Sequence, residues 1–243
     1  MFRREHHQHI LTALTSLNAQ FLLKNECYFG GGTAIVLSLD EYRESVDIDL
    51  LCASADGYRE LRNTINNVSL GEIFSCHIEL LREVRADRYG IRVPIVVDGV
   101  TIKFEIVRED RIRLHGKMDP VLCVPILDRA DMYAEKLLAN ADRWNEPSTA
   151  SRDIIDLAMM IKHWGPIPAA AWQKVRAAYG ASVDQAYNNA LLLVSNEQHL
   201  GECLAKMHMD PGLVTRIPAV LAANAPVLAS MATQTNITGS PQP

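Results

Sequence analysis

Apolar residues at Ile10, Leu14, Leu17 and Phe21 recur at helical spacing, which predicts one amphipathic helix near the start of the chain. Cys27-Tyr28-Phe29 reads as a short buried strand running into Gly30-Gly31-Gly32-Thr33, and Ala34–Leu39 suits a buried helix that begins at the glycines. Val46–Leu51 alternates with period two, which sets Val46, Ile48 and Leu50 toward a core and Asp47 and Asp49 on the opposite face. Residues 56–68 read as a helix. Arg92–Val97 and Val100–Val107 flank Asp98-Gly99, a two-residue hairpin signal. Beyond Pro125 only helical periodicity remains, at 128–143, 149–163, 168–179, 182–196 and 198–208, punctuated by Pro147, Gly165-Pro166-Ile167-Pro168 and Gly180. From about residue 230 the chain is rich in Ser, Thr, Gln and Pro. The expected organisation is α+β: a mixed β-sheet lobe with flanking helices over 1–125, a helical lobe over 126–230, and a disordered tail over 231–243.

Composition narrows the class. With 243 residues, 48% hydrophobic and 22% charged, the chain is long enough to bury a core and is neither disordered nor collagen-like. Its five cysteines are scattered without a CxxC pair, so they read as small buried hydrophobes. The first ten residues are charged and lack an apolar h-region. The apolar stretch at 213–231 is interrupted by Arg216, Pro218, Asn224 and Pro226. A soluble, cytoplasmic protein without membrane association is expected. The formal charge of −5 weighs against a broad nucleic-acid-coating surface. Residues 82–117 run against that trend, with nine Lys/Arg against six Asp/Glu.

Candidate chemistry begins with Asp47 and Asp49. Two carboxylates about 4 Å apart repel by roughly 4 kcal/mol at an effective dielectric of 20, and a divalent cation of hard character, Mg²⁺ or Mn²⁺, relieves that. Roughly three acid-x-acid pairs are expected by chance in a chain with 29 acidic residues, so the pair alone is equally a solvated strand face. Glu105 alternates with Ile102, Phe104 and Ile106, which sets it on the non-core face of a second strand. It is either a third carboxylate for the same metal or a surface partner of Lys103. Gly31-Gly32-Thr33, between a strand and a helix, is either a phosphate cradle or a tight turn; it matches neither GxxxxGK(S/T) nor GxGxxG. Arg43 and Ser45 precede the acidic strand and can hold a phosphate or brace the aspartates. Lys136, Asn140 and Arg143 form one helical stripe, and Asp153 and Asp156 sit three apart on the next helix. Either these are solvated faces joined by surface ion pairs, or Lys136 reaches a leaving pyrophosphate while the aspartates position it. The histidines at 6, 7 and 9 and Met207-His208-Met209 read as surface or packing rather than metal sites.

Together these pieces resemble the nucleotidyltransferase superfamily, and within it the AbiEii/AbiGii toxins of type IV toxin–antitoxin systems. The family's GGTA…R-x-S-x-D-x-D motif is found as GGTAIVLSLDEYRESVDID, its K-x-x-A-x-x-x-R motif as Lys136 to Arg143, and its R-D-x-x-D-L motif as Arg152 to Leu157; the resemblance covers about residues 25–160. Asp40-Glu41-Tyr42 stands where relatives often have a glycine, and the helical lobe is short for the family. The resemblance implies a nucleotidyltransferase-like fold. It implies transfer of a nucleoside monophosphate from an NTP to an acceptor hydroxyl, with release of pyrophosphate. It assigns Asp47, Asp49 and Glu105 to the metal, and Gly31, Gly32, Thr33, Arg43, Ser45, Lys136 and Arg143 to the nucleotide. Lys136 and Asp153 join the three metal-binding carboxylates as catalytic residues. tRNA or another RNA is the implied acceptor, and a cognate antitoxin the implied partner. Other readings of the same fold are a transferase acting on a small-molecule or antibiotic hydroxyl, and a non-catalytic nucleotide- or RNA-binding module.

Overall fold

The opening periodicity folds as two helices, α1 (Glu5–Thr15) and α2 (Ala19–Lys24). The break comes at Asn18, whose side chain accepts the backbone N–H of Phe21 at 3.2 Å and so caps a new helix where a single one is expected. The computed structural model describes residues 2–227, and the tail expected at 231–243 lies outside them. β1 (Cys27–Gly30) is buried throughout and passes directly into α3 (Gly31–Ser38). β2 (Asp47–Cys52) returns antiparallel to β1. Val46 falls just outside β2 and is 43% exposed, so it does not face the core as its alternation suggests. α4 (Ala55–Thr64), capped by Ser54, ends short of the expected residue 68 because Ile65 is already extended.

Two short strands, β3 (Glu79–Leu80) and β4 (Arg85–Ala86), flank β5 (Gly90–Val97), which pairs with β6 (Val100–Arg108). The turn between β5 and β6 is the expected one: Asp98 and Gly99 both take positive φ, 50° and 79°, as a two-residue hairpin turn requires. β7 (Gly116–Met118) and β8 (Pro125–Leu127) complete a mixed sheet of order β3-β5-β6-β2-β1-β8-β7, with β4 beside β5. β8 lies parallel to β1, with Ile126 opposite Phe29, so the sheet extends past Pro125, where periodicity predicts helices only.

The remaining helices are α5 (Arg129–Arg143), α6 (Arg152–Trp164), α7 (Ala169–Tyr179), α8 (Ser182–Val194), α9 (Glu197–Lys206) and α10 (Arg216–Ala222). α5 packs on α6, α7 and α8 and reaches back to α3. The two faces of β5 and β6 differ sharply. Ile91, Val93, Ile95, Ile102, Phe104 and Ile106 are buried on one side, where α1 packs and Phe74 meets Phe104 at 5.3 Å between ring centroids. On the other side Arg92, Pro94, Lys103 and Glu105 keep partial exposure. Cys27, Cys52 and Cys203 are buried as expected, whereas Cys76 and Cys123 are exposed. No helix among the described residues is long and apolar enough to cross a membrane.

Candidate active site

The strand register decides which side chains share a face. β2 and β6 run parallel, with Asp47 opposite Lys103 and Asp49 opposite Glu105. Directly paired residues point to the same side of a sheet, so Asp47, Asp49 and Glu105 share the face that lines a cavity of about 370 Å³. The opposite wall is α5, which presents Met132, Glu135, Lys136, Ala139, Asp142 and Arg143 at helical intervals. The start of α3 closes one end. Gly30 pairs with Asp49 across the strands, and Gly31 follows with φ +66°. A Cβ on Gly31 would lie 2.6 Å from the Asp49 Oδ2, so both backbone angle and space exclude a side chain there.

Of the sequence-predicted residues, Gly31, Gly32, Thr33, Arg43, Ser45, Asp47, Asp49, Glu105, Lys136 and Arg143 all line this cavity. Asp153 stands behind it. The helical charges are not the surface pairs of the blander reading. Lys136 is 5% exposed and donates to Asp153 Oδ1 at 2.9 Å, and its Nζ lies 2.8 Å from Asp156 Oδ2. Arg43 forks onto Asp156 through Nε (2.7 Å) and Nη2 (2.8 Å), and the Tyr42 hydroxyl donates to the same carboxylate at 2.6 Å. Arg143 grips Asp153 through Nε (2.7 Å) and Nη2 (3.0 Å). Two buried anions thus alternate with three cations. Burial pushes both aspartates up, but Lys136 with Arg143 overcomes it at Asp153, pulling that carboxyl down to about 2. Arg43 and Lys136 hold Asp156 well below the ordinary range. Thr33 and Ser45 hydroxyls meet at 2.7 Å, joining the α3 start to the loop before β2.

The strand carboxylates are in the opposite condition. Among the described residues, neither the Asp47 nor the Asp49 carboxylate makes a hydrogen bond or ion pair. Burial pushes the Asp49 carboxyl up; Lys103 and Lys136 oppose this, while the charges of Asp47 and Glu105 add to it. Glu105 is better served: Arg92 Nε donates at 2.5 Å and Lys103 Nζ lies at 2.9 Å. These ion pairs hold the Glu105 carboxyl below its usual value against burial. With Glu105 so engaged, no three His, Cys, Asp or Glu side chains among the described residues are grouped tightly enough to hold a metal ion. The donor chemistry nonetheless fits Mg²⁺: hard carboxylate oxygens on one face, two of the three side chains unpartnered, at a spot where negative charge is in excess.

A family model for the AbiEii nucleotidyl transferase toxin of type IV toxin–antitoxin systems matches residues 12–225. The chain belongs to the AbiEii family. As an AbiEii protein it is a nucleotidyltransferase toxin, which implies an NTP substrate and an antitoxin partner. No curated protein matches the sequence. Among solved structures, one described as a nucleotidyltransferase from H. pylori is 15% identical with a TM-score of 0.53, covering 91% of this chain and 95% of that one. JHP933 from Helicobacter pylori is also 15% identical, with a TM-score of 0.49 and 92% coverage of both chains. The first of these shows the same fold.

Sequence reasoning missed two parts of the AbiEii cavity. Arg92, just behind the lining, is in direct register with Glu105, a pairing that the two-residue turn at Asp98-Gly99 already fixes. At the far end, Arg111 is ringed by Glu109 (2.6 Å), Asp142 (2.9 Å) and Glu135 (3.4 Å). Burial, with the charge of Glu109, pushes the Glu135 carboxyl up to about 8 despite Arg111. The available signal was helical spacing: Glu135 adjoins Lys136, and Asp142 lies seven residues, two turns, beyond Glu135.

Proposed function

We propose that this toxin transfers a nucleoside monophosphate from an NTP to a hydroxyl of an RNA acceptor, tRNA foremost, with Mg²⁺ held by Asp47, Asp49 and Glu105. The observation that carries the reading is Asp49, unpartnered and wedged between Gly31 and Glu105 on the floor of the cavity. When bound, the metal would polarise phosphoryl oxygens and favour the ionised form of the attacking hydroxyl; Mn²⁺ has the same ligand preference.

The chain's own residues supply the remaining electrostatics. Free N–H groups at the start of α3 and the Thr33 hydroxyl suit phosphate oxygens. Lys136 donates three hydrogens, and its two aspartates leave one for the departing pyrophosphate. Arg143 uses Nε and Nη2 on Asp153, so its Nη1 is available to a phosphate. Arg43 has Nε and Nη2 on Asp156 and Nη1 on the Glu44 carbonyl; it is a positioning residue that fixes the α3 start. Asp153 likewise positions Lys136 and Arg143. Holding a metal would require Glu105 to exchange its Lys103 contact for the new cation.

The test is incubation of the protein with labelled NTPs, Mg²⁺ and total tRNA. Label is expected on RNA, and Asp47→Ala and Lys136→Ala should each abolish it. Transfer that persists in EDTA, or in Asp47→Ala, would overturn the site assignment. Label found only on small hydroxyl compounds would overturn the RNA acceptor.

A further inference from the structure

A second cavity, of about 340 Å³, is lined by four arginines: Arg59 and Arg62 of α4, Arg88 in the turn between β4 and β5, and Arg108 at the end of β6. α4 aims one face at it, since Ala55, Tyr58, Arg59 and Arg62 follow helical spacing. In a chain of net charge −5, this much positive charge around one hollow is sparsely compensated. Arg59 meets only Asp56 at 3.0 Å, both largely exposed, and exposed pairs of that kind are weak. The Arg62 side chain makes no ion pair or hydrogen bond with any described residue. Asp87, in the same turn, turns its carboxylate to the N–H groups of Tyr89 and Gly90 and to Arg92. Arg108 Nε is buried and lacks a hydrogen-bond acceptor; Asp110 lies 2.9 Å away but out of line. A guanidinium held by Asp110 through one misaligned contact, beside three further guanidinium groups, keeps donors for a phosphate, which accepts two donors of a guanidinium fork at once.

Position says which phosphate. Arg108 lies three residues along β6 from Glu105, about 10 Å at strand rise, and alternation turns it to the other side of the sheet. The β4–β5 turn lies against it, the Arg108 N–H donating to the Tyr89 carbonyl at 2.9 Å. Arg88 is in that turn, while Arg92 and its cross-strand partner Arg85 continue the basic row onto the catalytic face, ending at Glu105. Tyr89, 56% exposed with Arg88 4.6 Å over its ring, offers an aromatic surface on the way. The hollow presents four guanidinium groups and a single amide, Asn63, so positive charge dominates it and suits a phosphate backbone. We infer that this arginine-lined hollow docks phosphodiester groups of the RNA acceptor, and that the β4–β5 turn leads the strand from there to the carboxylates. The inference rests on the RNA reading above.

The test uses the full chain with labelled total tRNA, comparing wild type with Arg59→Gln/Arg62→Gln, whose side chains face solvent, and with Arg88→Gln as a second, independent variant. The double variant should keep the wild-type Tm and NTP affinity, bind tRNA about tenfold more weakly, and lower the salt slope of log K by about 2, near 1 per lost phosphate contact. In the transfer assay the KM for tRNA should rise while kcat holds, and Arg59→Lys/Arg62→Lys should recover part of the loss. Wild-type tRNA affinity and salt slope in the folded variants would overturn the docking inference while leaving the RNA reading intact. A wild-type protein that neither binds nor labels RNA would overturn both.

Discussion

Two sets of acids serve one cavity in this protein, one fully buried on α6 and one half-buried on β2, and they are finished to different degrees. On α6, each oxygen of Asp153 and Asp156 meets a cation or a hydroxyl, from Lys136, Arg143, Arg43 and Tyr42. On β2, Asp47 and Asp49 meet nothing, and Asp49 bears both burial and like charge. A satisfied buried network holds a geometry, whereas an unsatisfied one costs stability until a ligand completes it. The first cluster is the frame, its charges matched within the protein; the second carries carboxylates that no side chain of the protein matches.

Substitutions can separate the two. Asp156→Ala should be the most damaging, because it strands buried Arg43 and takes one of two carboxylates from Lys136; a loss of about 3–5 kcal/mol in denaturant unfolding is expected, with transfer lost as well. Asp49→Asn should do the reverse, keeping or raising stability while lowering transfer by about 10²–10³-fold, the usual scale for one electrostatic stabiliser. A drop in stability for Asp49→Asn would erase the contrast between the clusters. pH sharpens it further. Asp153, held at about 2, contributes stability that is present above the ordinary carboxylate value and disappears as pH falls toward 2, worth about 2 kcal/mol. Asp49 has the opposite sign: its raised carboxyl makes the fold less stable as pH rises through its own titration, a trend that Asp49→Asn should flatten. Glu135 acts in the same sense over a higher window. Raised to about 8, it should cost the wild type on the order of 1 kcal/mol per pH unit between about 5 and 8; Glu135→Gln should remove that slope in pH-dependent thermal melts.

Local signals carried the strands and the glycine start, since alternation, a two-residue turn and a run of glycines are fixed by near neighbours. The β5–β6 turn at Asp98-Gly99 and the shared face of Asp47 and Asp49 followed directly. What failed depended on competition or distance. A capping side chain at Asn18 overrode a continuous apolar stripe. Three apolar residues of β8 are too few to distinguish strand from helix. No helix is expected beyond residue 208, yet α10 forms with Pro218 in its first turn, where the missing N–H costs nothing. For the site, Asp156 and Arg43 are 113 residues apart, and no periodicity announces that pairing. Periodicity alone therefore left the acid–base stripes on α5 and α6 open between wet surfaces and a site, and only the resemblance to the family favoured the site.

The Asp156 carboxylate has one more consequence. It is the shared fastening of a loop that sets the glycine bend and of the helix that carries Lys136, so neither can loosen without the other. Warming the protein should erase catalysis and structure at the same temperature, with no idle but still folded species between.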